Sequence, residues 1–146
     1  MDAELAYQQQ VISYDRVLSR GGFIRICDYQ HRVSADDLTA LDLEIKSSKD
    51  ERPLHAFLAS RPHLLGNAES AHGCRWFKSN PRLGKNYVPD FMIARMNSGG
   101  LRWTLVELQS PQPNLFIDTT KPGRAKPGEQ LREGLDQISR WRGWID

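Results

Sequence analysis

The chain has 146 residues, 39% of them hydrophobic and 26% charged, with a mean hydropathy of −0.58. That length supports one hydrophobic core of ordinary size, and the composition excludes a fibre, a disordered tail and an integral membrane protein. Charge is uneven: residues 1–73 carry 8 Lys/Arg against 11 Asp/Glu and residues 74–146 carry 12 against 7, so the basic second half suits a phosphate-bearing partner.

The first segment, Met1 to Leu18, is polar with scattered apolar residues and reads as a helix ended by Gly21-Gly22. Its acidic start, Met1-Asp2-Ala3-Glu4, has no signal-peptide core. No apolar run in the chain exceeds four residues, against the ~18 that span a bilayer. A cytoplasmic protein without membrane contact is the expectation. Phe23 to Tyr29 is β-rich and reads as a strand. Ser34 is an N-cap candidate before Ala35-Asp36-Asp37, and Leu38, Leu41 and Ile45 carry a helical stripe behind it. Asp50 is the next cap, ahead of a helix to Ser60 whose apolar face is Leu54, Phe57 and Leu58. Arg75 to Lys78 reads as a short strand. Cys27 and Cys74 form no C-x-x-C pair, so neither a zinc site nor a disulfide scaffold is expected. His31, His55, His63 and His72 show no H-x-x-x-H spacing and read as surface or packing residues.

Val88 to Arg95 and Leu101 to Gln109 read as two strands joined at Asn97-Ser98-Gly99-Gly100, a hairpin. Ser110-Pro111-Gln112-Pro113 ends the second strand, and the basic, Pro- and Gly-rich stretch Thr119 to Gly128 reads as an irregular loop. Glu129 to Ile145 is the last helix, with Leu131, Leu135, Ile138 and Ile145 as its apolar stripe and Gln130, Gly134, Gln137, Trp141 and Trp144 on the adjacent one. The order is that of an α/β domain. A turn centred between Ser98 and Gly99 sets Asp90 opposite Glu107, with Gln109 on the same face. Two carboxylates that close repel unless a cation sits between them, and oxygen donors without histidine or thiolate suit Mg²⁺ or Mn²⁺. Glu107 also interrupts the apolar run Trp103 to Leu108, where an acid without a role is costly.

Pro89-Asp90 followed by Glu107-Leu108-Gln109 resembles the PD-(D/E)XK nuclease motif with Gln in the Lys place. The stretch Glu51 to Leu65 resembles the E-x-x-L-x-x-F-L-x-x-x-P-x-L-L helix of the Shedu anti-phage nuclease family. Val106 to Pro111 and the Q-I-x-x-W-R-x-W-I run from Gln137 to Ile145 resemble that family's strand-and-helix end. The likeness covers about two-thirds of the chain, from Glu51 to Ile145.

The resemblance implies a restriction-endonuclease-like α/β core: a central mixed sheet with an antiparallel hairpin, flanked by helices. It implies a 1–49 N-terminal extension and a 50–146 nuclease-like domain whose final strand would come from Phe23 to Asp28, from a partner subunit, or from a longer protein of which this is one domain. It further implies a metal-dependent DNA endonuclease of bacterial defence that works as a homo-oligomer without an organic cofactor. Asp90, Glu107 and the Leu108 carbonyl match the metal ligands, for Mg²⁺ or Mn²⁺. Gln109 stands in the third motif position, Glu51 in that of an acid on the preceding helix, and Gln137 with Trp141 is similar to the Q-x-x-x-Y motif of RecB-like relatives. Lys78, Arg82 and Lys85 before the acids, and Lys121, Arg124 and Lys126 after them, are expected to track DNA. Arg95 and Arg102, at the turn end, are expected to matter less. The alternative is a non-catalytic DNA-binding or assembly module of a defence complex, because Gln109 brings no charge to the position a lysine would hold.

Overall fold

The computed structural model describes residues 3–27, 32–65, 73–97, 99–111, 116–117 and 126–145. In chain order the elements are α1 (Ala3–Arg20), β1 (Ile24–Cys27), α2 (Ala35–Ser47), α3 (Glu51–Ser60), a 3₁₀ turn (Pro62–Leu65), β2 (Cys74–Ser79), β3 (Phe91–Asn97), β4 (Gly100–Val106), β5 (Phe116–Ile117), β6 (Lys126–Pro127) and α4 (Glu129–Ile145). They fall into two compact units, Met1–Ala35 with Leu58–Val106, and Asp36–Phe57 with Glu107–Asp146.

The first unit is built on a four-stranded sheet in the order β1-β2-β3-β4. Every pairing is antiparallel, so the mixed sheet anticipated from the sequence is not what forms. β2, β3 and β4 follow one another through connections too short for a parallel crossover, which needs a dozen or more residues. β1 then joins the free side of β2. The hairpin runs in the expected register, from Asn97↔Gly100 at the turn to Phe91↔Val106. The resemblance put this hairpin at the centre of the sheet; instead β4 is an edge, and β2 and β3 are the central strands.

α1 ends in a Schellman motif. Gly22 takes a φ of 81°, the Phe23 N–H donates to the Leu18 carbonyl at 3.0 Å, and the Gly22 N–H donates to the Ser19 carbonyl at 3.0 Å. This reversal feeds the chain straight into β1. Val11 and Leu18 of α1 then pack with Trp76 and Ala94, and Tyr14, Phe23, Met96 and Leu101 close around them. The Trp76 indole N–H donates to Asp15 Oδ1 at 2.9 Å, so the largest buried side chain leaves no stranded donor. On the other sheet face the Phe77 and Phe91 rings lie 5.3 Å apart.

Cys27 and Cys74 are joined by a disulfide, contrary to the reading of their spacing. They are 47 residues apart in sequence but are direct partners in the β1–β2 register, with Cα atoms 4.1 Å apart. That pairing is a product of sheet assembly and invisible in spacing.

In the second unit, Asp50 caps α3 as expected, its Oδ1 accepting the Arg52 N–H at 3.0 Å. Part of the stretch read as an irregular loop is ordered, since β6 pairs with β5. α4 has the expected limits but presents a different face inward. Gly134 and Trp141 are buried, whereas Leu135 and Ile138 are 51% and 50% exposed. Among the described residues no helix is long and apolar enough to cross a membrane.

Candidate functional site

Of the candidate site residues, all but Lys121 and Arg124 are among the described residues, each in one unit or the other. Asp90 belongs to the first. It is half-buried behind the buried Pro89, and its backbone carbonyl accepts the Asn80 N–H at 2.8 Å. That bond closes the segment between β2 and β3, whose interior is pinned by the Leu83 N–H donating to the Tyr87 carbonyl at 2.8 Å. Arg82 and Lys85 stand exposed on this segment. Lys78 is engaged within the fold, with its ammonium donating to the Gly21 carbonyl at 2.6 Å and lying 5.5 Å from the centre of the Phe23 ring.

Glu107, Leu108 and Gln109 open the second unit, directly after β4. β4 ends at Val106, so Glu107 lies just past the strand that the sequence extended to Gln109. Glu107 and Gln109 line a cavity of about 160 Å³ together with Leu131, Gly134, Leu135 and Ile138 of α4. One Glu107 carboxylate oxygen, Oε2, is shielded from solvent, as is Nε2 of His55. Gln109 approaches α4 at its glycine: a Cβ built on Gly134 would stand 3.4 Å from Gln109 Cγ and Nε2 and 3.6 Å from Cδ. The carboxamide therefore lies flat against the helix, its place defined by the missing side chain.

Glu51 and Gln137 also belong to the second unit but do not line this cavity. Glu51 is exposed in the first turn of α3, and Gln137 is half-buried on α4. Lys121 and Arg124 lie outside the described residues, and Lys126 is exposed in β6.

The donors gathered at the cavity are hard oxygens, a carboxylate and a carboxamide. Both cysteines are consumed in the disulfide, so among the described residues no thiolate competes for a cation. Such a donor set suits Mg²⁺ or Mn²⁺ and not a thiophilic metal. Among the described residues no three His, Cys, Asp or Glu side chains gather as a metal-holding group.

Two residues of this chain were not singled out as contributors to chemistry by sequence reasoning. Gly134 looked like one member of a helical stripe, and its contact with Gln109 depends on packing. Arg75 looked like an ordinary strand residue, yet it is buried at 5% exposure and stands beside Arg95 in the sheet. The turn that the sequence predicts, centred between Ser98 and Gly99, pairs Arg95 with Arg102, a signal present in the hairpin register.

Comparison with curated proteins and with solved structures finds no match. A family model described as Shedu protein SduA, C-terminal, matches residues 48–146. That span holds α3, the hairpin, the Glu107–Gln109 segment and α4, and by it the chain belongs to the Shedu family.

Proposed function

We propose that the chain acts in anti-phage defence as a DNA endonuclease that hydrolyses phosphodiesters with Mg²⁺ or Mn²⁺, on a PD-(D/E)XK core. The observation that carries the reading is the family match over 48–146, which contains the Pro89-Asp90 and Glu107-Leu108-Gln109 words in order. The hairpin register supports it, because Asp90 and Glu107 are the next residues along the chain from the terminal pair Phe91↔Val106.

In this reading Asp90, Glu107 and the Leu108 carbonyl hold the divalent ion, which supplies polarisation of a phosphoryl oxygen and a more acidic bound water. Gln109 orients the attacking water by hydrogen bonding. It brings neither the positive charge nor the proton-accepting capacity of the usual lysine, so the charge developing on the phosphoryl oxygens lacks one electrostatic partner. Glu51 and Gln137 complete the motif positions from the two helices. Arg82, Lys85 and Lys126, with Lys121 and Arg124, hold the DNA backbone.

Gln109 also favours a second reading, a DNA-binding module without catalysis. A plasmid-nicking assay in Mg²⁺ separates the two. Glu107→Ala is expected to lower nicking by roughly a hundredfold or more, the scale of losing a principal electrostatic contributor. Equal activity of wild type and Glu107→Ala would sink the nuclease reading.

A further inference from the structure

We infer that the outer edge of β4 pairs antiparallel with β4 of a second copy of this chain, about a two-fold axis through Trp103. β4 ends the sheet, and among the described residues no strand lies on its far side. Hydrogen bonding decides which of its backbone groups face outward. The Asp90 carbonyl accepts the Asn80 N–H, so even-numbered residues of β3 turn their backbone groups toward β2 and odd-numbered ones toward β4. Phe91, Ile93, Arg95 and Asn97 therefore face Val106, Thr104, Arg102 and Gly100. That leaves the N–H and C=O groups of Leu101, Trp103 and Leu105 pointing away from the sheet.

This edge lacks the devices that keep a strand from pairing. β4 reads Gly-Leu-Arg-Trp-Thr-Leu-Val, with no proline, lysine or acid, and its ladder with β3 runs without a bulge. The opposite edge is blunter: β1 has four residues and, by the same alternation, turns outward only the backbone of Arg25 and Cys27. At the middle of β4, Arg102, Trp103 and Thr104 are exposed in succession, so both faces of the strand are open there. Trp103 stays 45% exposed although its ring stands edge-on to Phe23, with 5.7 Å between the centres.

A two-fold axis perpendicular to the sheet matches each face of β4 with the same face of the copy. Centred on Trp103, it sets that residue against Trp103 of the copy, Leu101 against Leu105, Arg102 against Thr104 and Gly100 against Val106. All three outward-facing residues then take part, giving about six backbone hydrogen bonds. An aromatic pair closes the centre. Charge and length select this register. Moving the axis to Arg102 sets two guanidinium groups directly opposite each other, which opposes pairing. Moving it to Thr104 carries Leu101 past the end of β4 at Val106. The self-match commits the edge to a second copy, in a contact that closes at two chains. Paired strands alone make less than a standard interface, so association in the micromolar range is expected. The contact lies wholly within the first unit and needs neither a divalent ion nor cleavage.

The test is sedimentation velocity of the full chain, without metal or nucleic acid, at concentrations up to hundreds of micromolar. Wild type is expected to pass from monomer to dimer. Thr104→Glu puts an acid opposite Arg102 of the copy at two symmetric places and should tighten the dimer about fivefold, while Thr104→Lys puts like charges there and should weaken it about as much. Thr104 is exposed, and melting curves verify that each variant folds. Cross-linking reads the register separately. Cys27 and Cys74 are joined to each other, so one introduced cysteine supplies the free thiol. Trp103→Cys lies on the axis, with Cα atoms about 5.5 Å apart across the contact, and should give a covalent dimer on mild oxidation. Arg102→Cys, about 8 Å from its counterpart, should not. A wild-type chain that stays monomeric throughout would overturn the inference and leave the edge to a strand of another protein. A dimer unmoved by both Thr104 changes would place the contact elsewhere and overturn it too. So would cross-linking through Arg102→Cys as efficient as through Trp103→Cys.

Discussion

Gly134 sits within α4, where glycine costs about 1 kcal/mol relative to alanine. The structure supplies the compensation: Gln109 lies over it within van der Waals contact. An added methyl would meet Gln109 at 3.4 Å, the near edge of ordinary contact, and the helix would gain propensity. Gly134→Ala is therefore expected to be neutral or to stabilise by up to about 1 kcal/mol. Gly134→Leu has no such room, should displace Gln109, and should destabilise by about 1–3 kcal/mol. Thermal melting reads both, and a Gly134→Leu protein as stable as wild type would show that the contact does not constrain Gln109. Trp76 teaches the complementary point. Its burial is legible from its β-rich surroundings, but the partner for its N–H, Asp15, is 61 residues away and comes only with the packing of α1.

At the scale of elements, capping and turn chemistry were readable because they are local. Asp50 before Glu51, and Gly21-Gly22 after Arg20, each act within a few residues of themselves. Asp50→Ala is expected to cost about 1 kcal/mol in chemical denaturation, and Asp50→Asn to cost little, since the asparagine oxygen still accepts the Arg52 N–H. A zero effect of Asp50→Ala would place the start of α3 elsewhere. Which face of a helix turns inward proved less readable. On α4 the buried side is the Gly134–Trp141 stripe, while Leu135 and Ile138 stay largely exposed. On α2 no residue is buried, and the stripe Leu38, Leu41, Ile45 stays largely open: Leu38 is 57% and Ile45 39% exposed. Hydrophobic periodicity states that a helix has an apolar face but not which neighbour that face will meet. For Gly134 the close approach of another segment outweighs its lack of apolar surface.

At the scale of the molecule, the Cys27–Cys74 disulfide ties the edge strand β1 to β2 and closes a 47-residue stretch of chain. The loop-entropy relation puts its stabilisation near about 4 kcal/mol. Reduction by a dithiol should lower stability on that scale, and the Cys27→Ser/Cys74→Ser double variant should be as stable as the reduced protein and indifferent to reductant. Identical melting of wild type with and without reductant would show that the bond does not contribute.

The sequence by itself determined the helices, the hairpin with its register and the family, because each rests on neighbours in the chain or on words kept in order. Asp90, Glu107 and Gln109 could be named for the same reason. Tertiary structure alone decided that the sheet is wholly antiparallel, that β4 lies at its edge, and that Cys27 meets Cys74. It alone brought Gln109 onto Gly134 and Arg75 beside Arg95. These are contacts between segments far apart in sequence. Their register is set by which surfaces bury one another, and no local spacing encodes that choice.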